Sequence, residues 1–206
     1  MKHDENGVTI AGQRVDFIGL PAYVWAHLER VPSTHETEAA AHHLVAGGFQ
    51  YANVDPFVRA VCKWGDYAGI AGRVLRHNGL AEIADAFRAA VADVPAGIDV
   101  AVGRVMQLRH LGLSFASKHL RFLAPRVCAI LDSKMAAETG LPSSPSGLAQ
   151  YSALCRQLAA RAGALHIPNP MARPNGEWYA ADVEMALFAV ARGWAPSKRG
   201  LTTACS

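Results

Sequence analysis

Apolar residues recur along this chain at three- and four-residue intervals, the spacing of one face of an α-helix. The pattern predicts helices over 21–30, 34–46, 55–64, 70–77, 80–94, 99–111, 115–123, 133–139, 148–162 and 179–191. The punctuation agrees with it. Ser33 or Thr34 offers an N-cap, with Glu36 and Glu38 in the first turn, where acids complement the helix dipole. Gly47-Gly48 and Asn78-Gly79 supply stops, and Pro56 suits a first helical position. The 141–147 segment, LPSSPSG, reads as a loop. Period-two alternation is confined to 8–18, which predicts a short strand or extended arm. The expected fold is therefore all-α, one domain over 1–206 built as a two-lobed helical bundle, with loose ends at about 1–7 and 196–206.

Composition narrows the class. Hydrophobic residues make up 51% of the 206 and charged residues 18%, enough apolar surface for a core and too little charge for a disordered chain. The net charge of +3 is compatible with a nucleic-acid partner without requiring one. Cys62, Cys128, Cys155 and Cys205 are too far apart for a CxxC metal or iron–sulfur knuckle, so free thiols in a reducing cytoplasm are expected. No apolar run reaches the roughly 18 residues of a membrane helix, and the first seven residues are too polar for a signal peptide. No cofactor is expected, and a monomer is.

Charge is unevenly placed. The 104–134 stretch holds Arg104, Arg109, Lys118, Arg121, Arg126 and Lys134, together with His110 and His119, against the single acid Asp132. A helix ends near Leu111, a tight turn follows, and the next helix carries Lys118 as a surface-directed side chain. After Pro125 and the apolar run 127–131, Asp132 stands at the head of a further helix, where its carboxylate can act as N-cap.

This arrangement resembles the helix-hairpin-helix superfamily of DNA glycosylases, which includes the 8-oxoguanine DNA glycosylases. The residues carrying the resemblance are Leu113-Ser114-Phe115-Ala116-Ser117-Lys118 and Ala129-Ile130-Leu131-Asp132-Ser133. The wording of 61–78, VCKWGDYAGIAGRVLRHN, is similar to small bacterial proteins with an 8-oxoguanine-glycosylase fold. The resemblance implies a helix-hairpin-helix element and a DNA partner containing a damaged base. It also implies base excision with strand cleavage, with Lys118 as nucleophile and Asp132 as electrostatic partner. An amine attacks carbon only when deprotonated, so desolvation and nearby cations such as Arg121 and His119 suit that role. Arg109, Arg121, Arg126 and Ser117 are the expected DNA contacts. Trp64, Trp178 and Phe188 are candidates to stack on an extruded base. At the two hairpin glycine positions this chain carries Ser114 and Ala116. Those replacements fit the alternative, a helix-hairpin-helix protein that binds DNA without cutting it. Glu38 and His42, four apart, have metal-ligand spacing but are read as a solvated helical face, and no metal site is expected.

Overall fold

The computed structural model describes residues 1–201. The chain opens with three short antiparallel strands, β1 (Lys2–His3), β2 (Gly7–Ile10) and β3 (Gln13–Asp16), in that order across the sheet. The β2–β3 hairpin pairs Val8 with Val15 and turns at Ala11-Gly12, both at positive φ, the geometry a two-residue hairpin loop requires. Alternation in GVTI and QRVD puts Val8, Ile10 and Val15 on the buried face. The amino terminus is thus anchored, in place of the loose chain expected there. Asp4 caps the turn into β2 and forms a two-bonded pair with Arg14.

Helices make up nearly all of the remaining regular structure among the described residues: α1 (Leu20–Arg30), α2 (Thr34–Ala46), α3 (Tyr51–Trp64), α4 (Gly69–His77), α5 (Leu80–Asp93), α6 (Ile98–Met106), α7 (Leu113–Leu123), α8 (Ser133–Thr139), α9 (Pro145–Ala164), α10 (Ala180–Ala191) and α11 (Lys198–Leu201). The all-α expectation holds apart from the small sheet. In one group α7 lies among α2, α3, α5 and α6; in the other α10 lies against α1 and α9. Packing of α6 on α9 joins the groups, and one continuous apolar cluster runs through both.

Three boundaries depart from the pattern. α3 begins at Tyr51, so Pro56 sits inside it; the ring removes one N–H, a loss that an early turn tolerates better than a helix middle. α6 stops at Met106, and a turn with His110 at φ 74° leads to α7. Ser114 and Ala116 are accordingly helical, and their positions do not use the backbone freedom of glycine. α9 starts at Pro145, capped by Ser144 Oγ accepting from Gly147 N. At the carboxyl end the chain is docked as far as it is described. Ser197 is buried, its N–H bonds Ala22 O and its hydroxyl bonds Glu29. Residues 202–206, including Cys205, lie outside the described residues. Cys62, Cys128 and Cys155 are free and buried. No helix among the described residues is long and apolar enough to cross a membrane.

α10 places the site. Its sequence, AADVEMALFAVA, is apolar on every side, and such a helix is stable only when surrounded. It runs through the interior between α1 and α9 and carries two acids, Asp182 and Glu184, in with it.

Candidate active site

A cavity of about 480 Å³ opens between α1, the ends of α3 and α10, and the α7–α8 segment. Lys118 from α7, Asp132 at the head of α8 and Glu184 from α10 line it together. Lys118 and Asp132, fourteen residues apart in the chain, are thereby brought to one site, and Trp64 and Phe188 line it as well.

Lys118 is not directed to the surface. Its residue is 8% exposed, and its ammonium donates to Ser114 Oγ at 3.0 Å and lies 4.8 Å from the centre of the Phe115 ring. Gly65, just after α3, packs directly against Lys118 and Phe115. A Cβ there would come within 3.0 Å of Lys118 Cδ and of Phe115. Burial pushes the Lys118 amine below its ordinary value, while Asp132, Glu184 and the neighbouring Cys62 pull it back. The downward push wins, which raises the share of free amine at neutral pH. Cys62 does not compete as a nucleophile, because burial lifts its thiol to about 12.

Asp132 caps α8: Oδ1 accepts from Met135 N at 2.9 Å. That bond fixes the carboxylate at the helix head, as the sequence pattern indicates. Glu184 is an addition that the sequence reading does not name. It is 2% exposed, its Oε2 has no hydrogen-bond partner among the described residues, and burial lifts its carboxyl to about 8, with Arg121 and Lys118 opposing the rise and Asp132 adding to it.

Rings form the remaining wall. His27 lies 6.0 Å from Trp64, 6.0 Å from Phe188 and 5.9 Å from Trp194, centre to centre. Burial, and then the charge of Arg121, hold His27 down at about 3, so it is a neutral ring at physiological pH, and its Nδ1 has no partner among the described residues. Trp64 is held by its Nε1–H donating to Thr34 Oγ1 at 3.0 Å. The lining also includes Arg30, Lys63 and Arg192, all exposed.

Several expected site residues lie elsewhere. Arg121 is fully buried and pairs with Glu38 at 3.0 Å, so it cannot meet a phosphate. Glu38 is correspondingly no solvated face: it also binds Arg173 at 2.7 Å, and Arg173 binds the buried Asp182 at 2.6 Å. Burial raises the Glu38 carboxyl, but the two arginines hold it below its ordinary value overall. Ser117 is buried, with its hydroxyl bonded to Ser114 O. Arg126 is exposed but paired with Glu177 at 2.8 Å. Trp178 is a core residue, 7% exposed, with Nε1 donating to Ile167 O, and it does not line the cavity. Arg109 is exposed on the turn before α7.

Glu184 does carry a sequence signal. An acid inside an apolar helix is buried with a partner or buried for a purpose, since acids are almost never fully buried unpaired. His27 and Trp194 carry no such mark; they reach the cavity only through the packing of α1 and the chain after α10.

The arrangement offers a desolvated amine, two carboxyl groups and a box of flat rings in one concave site open to solvent, which suits a flat heterocyclic group attached to an electrophilic carbon. No family model, curated protein or solved structure matches the chain.

Proposed function

We propose that this protein is a DNA glycosylase with lyase activity, of the helix-hairpin-helix kind, in which Lys118 is the nucleophile. The observation that carries the reading is Lys118 itself: a buried amine, biased towards its neutral form, in a ring-walled cavity with Asp132. A lysine placed for structure alone would be solvated or ion-paired, whereas this one bonds only to a neutral hydroxyl and a ring face.

In the proposed reaction a damaged nucleotide leaves the stack and its base enters the box of His27, Trp64, Phe188 and Trp194. Lys118 Nζ attacks C1′ of the sugar. The new C–N bond forms as the glycosidic bond breaks, and the base departs with that electron pair and one of the two amine protons. The other amine proton passes to O4′ as the C1′–O4′ bond breaks and the sugar ring opens to a C1′=N imine. Solvent then takes a C2′ proton, the C–H pair becomes the C2′=C3′ bond, and the 3′ phosphate leaves with the C3′–O pair, which cuts the strand. Asp132 faces the positive charge that develops on the sugar. Glu184, protonated at neutral pH, offers a hydrogen bond to the bound group rather than a second negative charge. The cavity volume accommodates a purine, and an oxidised purine such as 8-oxoguanine is the substrate the sequence resemblance implies.

A panel of duplexes with single lesions, including an abasic site, tests the proposal. Wild-type protein should nick one or more of them. Lys118→Met should nick none while keeping its helical circular dichroism. Asp132→Asn retains an N-cap side chain but removes the charge, and should slow base release by about 10²-fold. A protein that binds every duplex and cuts none is the alternative, a helix-hairpin-helix DNA binder without the reaction.

A further inference from the structure

Glu184 adjoins two parts of the cavity. It stands one helical turn before Phe188 on α10, and residues four apart share a helix face. Phe188 belongs to the ring box, 6.0 Å from His27 and 5.7 Å from Trp194, centre to centre. Glu184 also feels the charges of Lys118 and Asp132, the pair assigned to the sugar. It therefore neighbours both the place of the base and the amine that attacks the sugar.

Nothing in the fold uses this carboxyl. Asp182, two residues earlier on the same helix, is bonded by Arg173, by Asn169 Nδ2 and by Tyr179 N. Among the described residues Glu184 forms no ion pair, and its Oε2 has no hydrogen-bond partner. An acid buried without partners costs stability, and an apolar residue in a helix as apolar as α10 would avoid that cost. The titratable and charged groups around it are Lys118 and Arg121 from α7, Asp132 at the head of α8, and Tyr151 and Cys155 from α9, while His27 from α1 lines the same cavity. Burial holds Tyr151 and Cys155 well above their ordinary values and His27 down at about 3, so all three are neutral at pH 7. Glu184, at about 8, is neutral there too.

A neutral carboxyl can do what a carboxylate cannot. It donates its O–H from one oxygen while the other accepts, so it moves a proton between two neighbours and ends as it began. Both neighbours exist in the proposed reaction. Attack on C1′ leaves a positive charge and a surplus proton on the Lys118 nitrogen, and the base leaves more readily as a neutral molecule than as an anion. We propose that Glu184 is a catalytic proton relay between Lys118 and the departing base. Its O–H proton passes to the base as the base takes the glycosidic electron pair, and its other oxygen takes one proton from the Lys118 nitrogen. The net transfer is one amine proton to the base, with Glu184 restored as the acid. The relay rests on the glycosylase reading.

Single-turnover kinetics on two duplexes test it. One carries the preferred lesion, and the other an abasic site, from which no base departs. Glu184→Gln keeps the shape of the side chain but has no acidic proton to pass on. It should release the base about 10²-fold more slowly, while its cutting of the abasic duplex should suffer at least ~10-fold less than that. Base release by wild-type protein should rise with pH as Lys118 frees its amine, then fall above about 8 as Glu184 loses its proton; Glu184→Gln should lack the fall. Across purine analogues graded in acidity, the gap between the two proteins should narrow as the base becomes a better leaving group. Equal slowing on both duplexes, or a fall above pH 8 that persists in Glu184→Gln, makes Glu184 a structural group and overturns the relay. Base release by Glu184→Gln at the wild-type rate overturns the relay and leaves the glycosylase reading standing. Wild-type protein that releases no base from any lesion ends both.

Discussion

Two clusters of buried charge lie side by side in this molecule, and the same two helices supply both. α7 contributes Arg121 to one and Lys118, three residues earlier, to the other; α10 contributes Asp182 to one and Glu184, two residues later, to the other. In the first cluster every charge has an opposite partner, Arg121 with Glu38, Glu38 with Arg173, Arg173 with Asp182, at 2.6 to 3.0 Å, although Arg121 bonds through Nη1 alone and its Nε and Nη2 have no hydrogen-bond partner among the described residues. Asp182 also accepts from Tyr179 N and Asn169 Nδ2, tying the 169–178 loop to α10. In the second, among the described residues, Lys118 hydrogen-bonds only a hydroxyl and Glu184 Oε2 has no partner. Burying charge costs free energy, and a paired network recovers much of that cost, whereas an unsatisfied group does not. The paired cluster holds structure. The unpaired one lacks that compensation, so its cost in stability is carried by the surrounding core; the proposed chemistry of Lys118 would use groups left unpaired in this way.

The contrast is sharpest under mutation of the paired cluster. Glu38→Ala leaves Arg121 and Arg173 buried without their shared partner and should destabilise the fold by about 3–5 kcal/mol in urea denaturation. A loss below ~1 kcal/mol would place that network among weak surface pairs.

The effect of Glu184 depends on pH. Its folded value, about 8, lies above its ordinary 4.5, so the folded state keeps the proton over a range where the unfolded chain has lost it. The benefit is fully present below about 4.5 and is lost as pH rises through 8. Glu184→Gln cannot ionise and should gain on wild-type protein by about 2–4 kcal/mol between pH 5 and pH 8. Parallel stabilities across that range would mean that Glu184 reaches solvent or a partner.

Lys118→Met keeps the length of the side chain and removes a desolvated amine. It should raise stability, by about 1–2 kcal/mol, while abolishing strand cleavage. A destabilised Met variant would indicate that the amine is structural.

Much of this is legible in the sequence, for physical reasons that also mark where legibility ends. The stops at Gly47 and Asn78 are local signals, and the structure follows them, whereas Ser33 precedes α2 without a side-chain cap bond to it. Asp132 is legible because an N-cap acts within three residues of itself. Arg121 misleads because its partner Glu38 is 83 residues away, and nothing local distinguishes a buried arginine from a phosphate-binding one. The helix that carries Lys118 is legible but the depth of its side chain is not, since the groups around it, Gly65, Asp132 and Glu184, come from other segments. Pro56 suggests a helix start that Tyr51 provides instead, because one missing N–H does not break an early turn. The basic stretch points to a single surface around Arg109, Arg121 and Arg126, but folding scatters it. Of these three, Arg109 alone is exposed and forms no ion pair with a carboxylate among the described residues.

The reactive amine can be identified directly. Borohydride reduces a lysine–sugar imine to a permanent bond, so a trapped complex with lesion DNA can be digested with protease and nuclease and mapped by mass spectrometry. Lys63 also lines the cavity and is the natural competitor. The sugar remnant is expected on Lys118, with no adduct from the Lys118→Met protein. A remnant on Lys63 or on the amino terminus, or trapping undiminished in Lys118→Met, would contradict the assignment of Lys118 as the nucleophile.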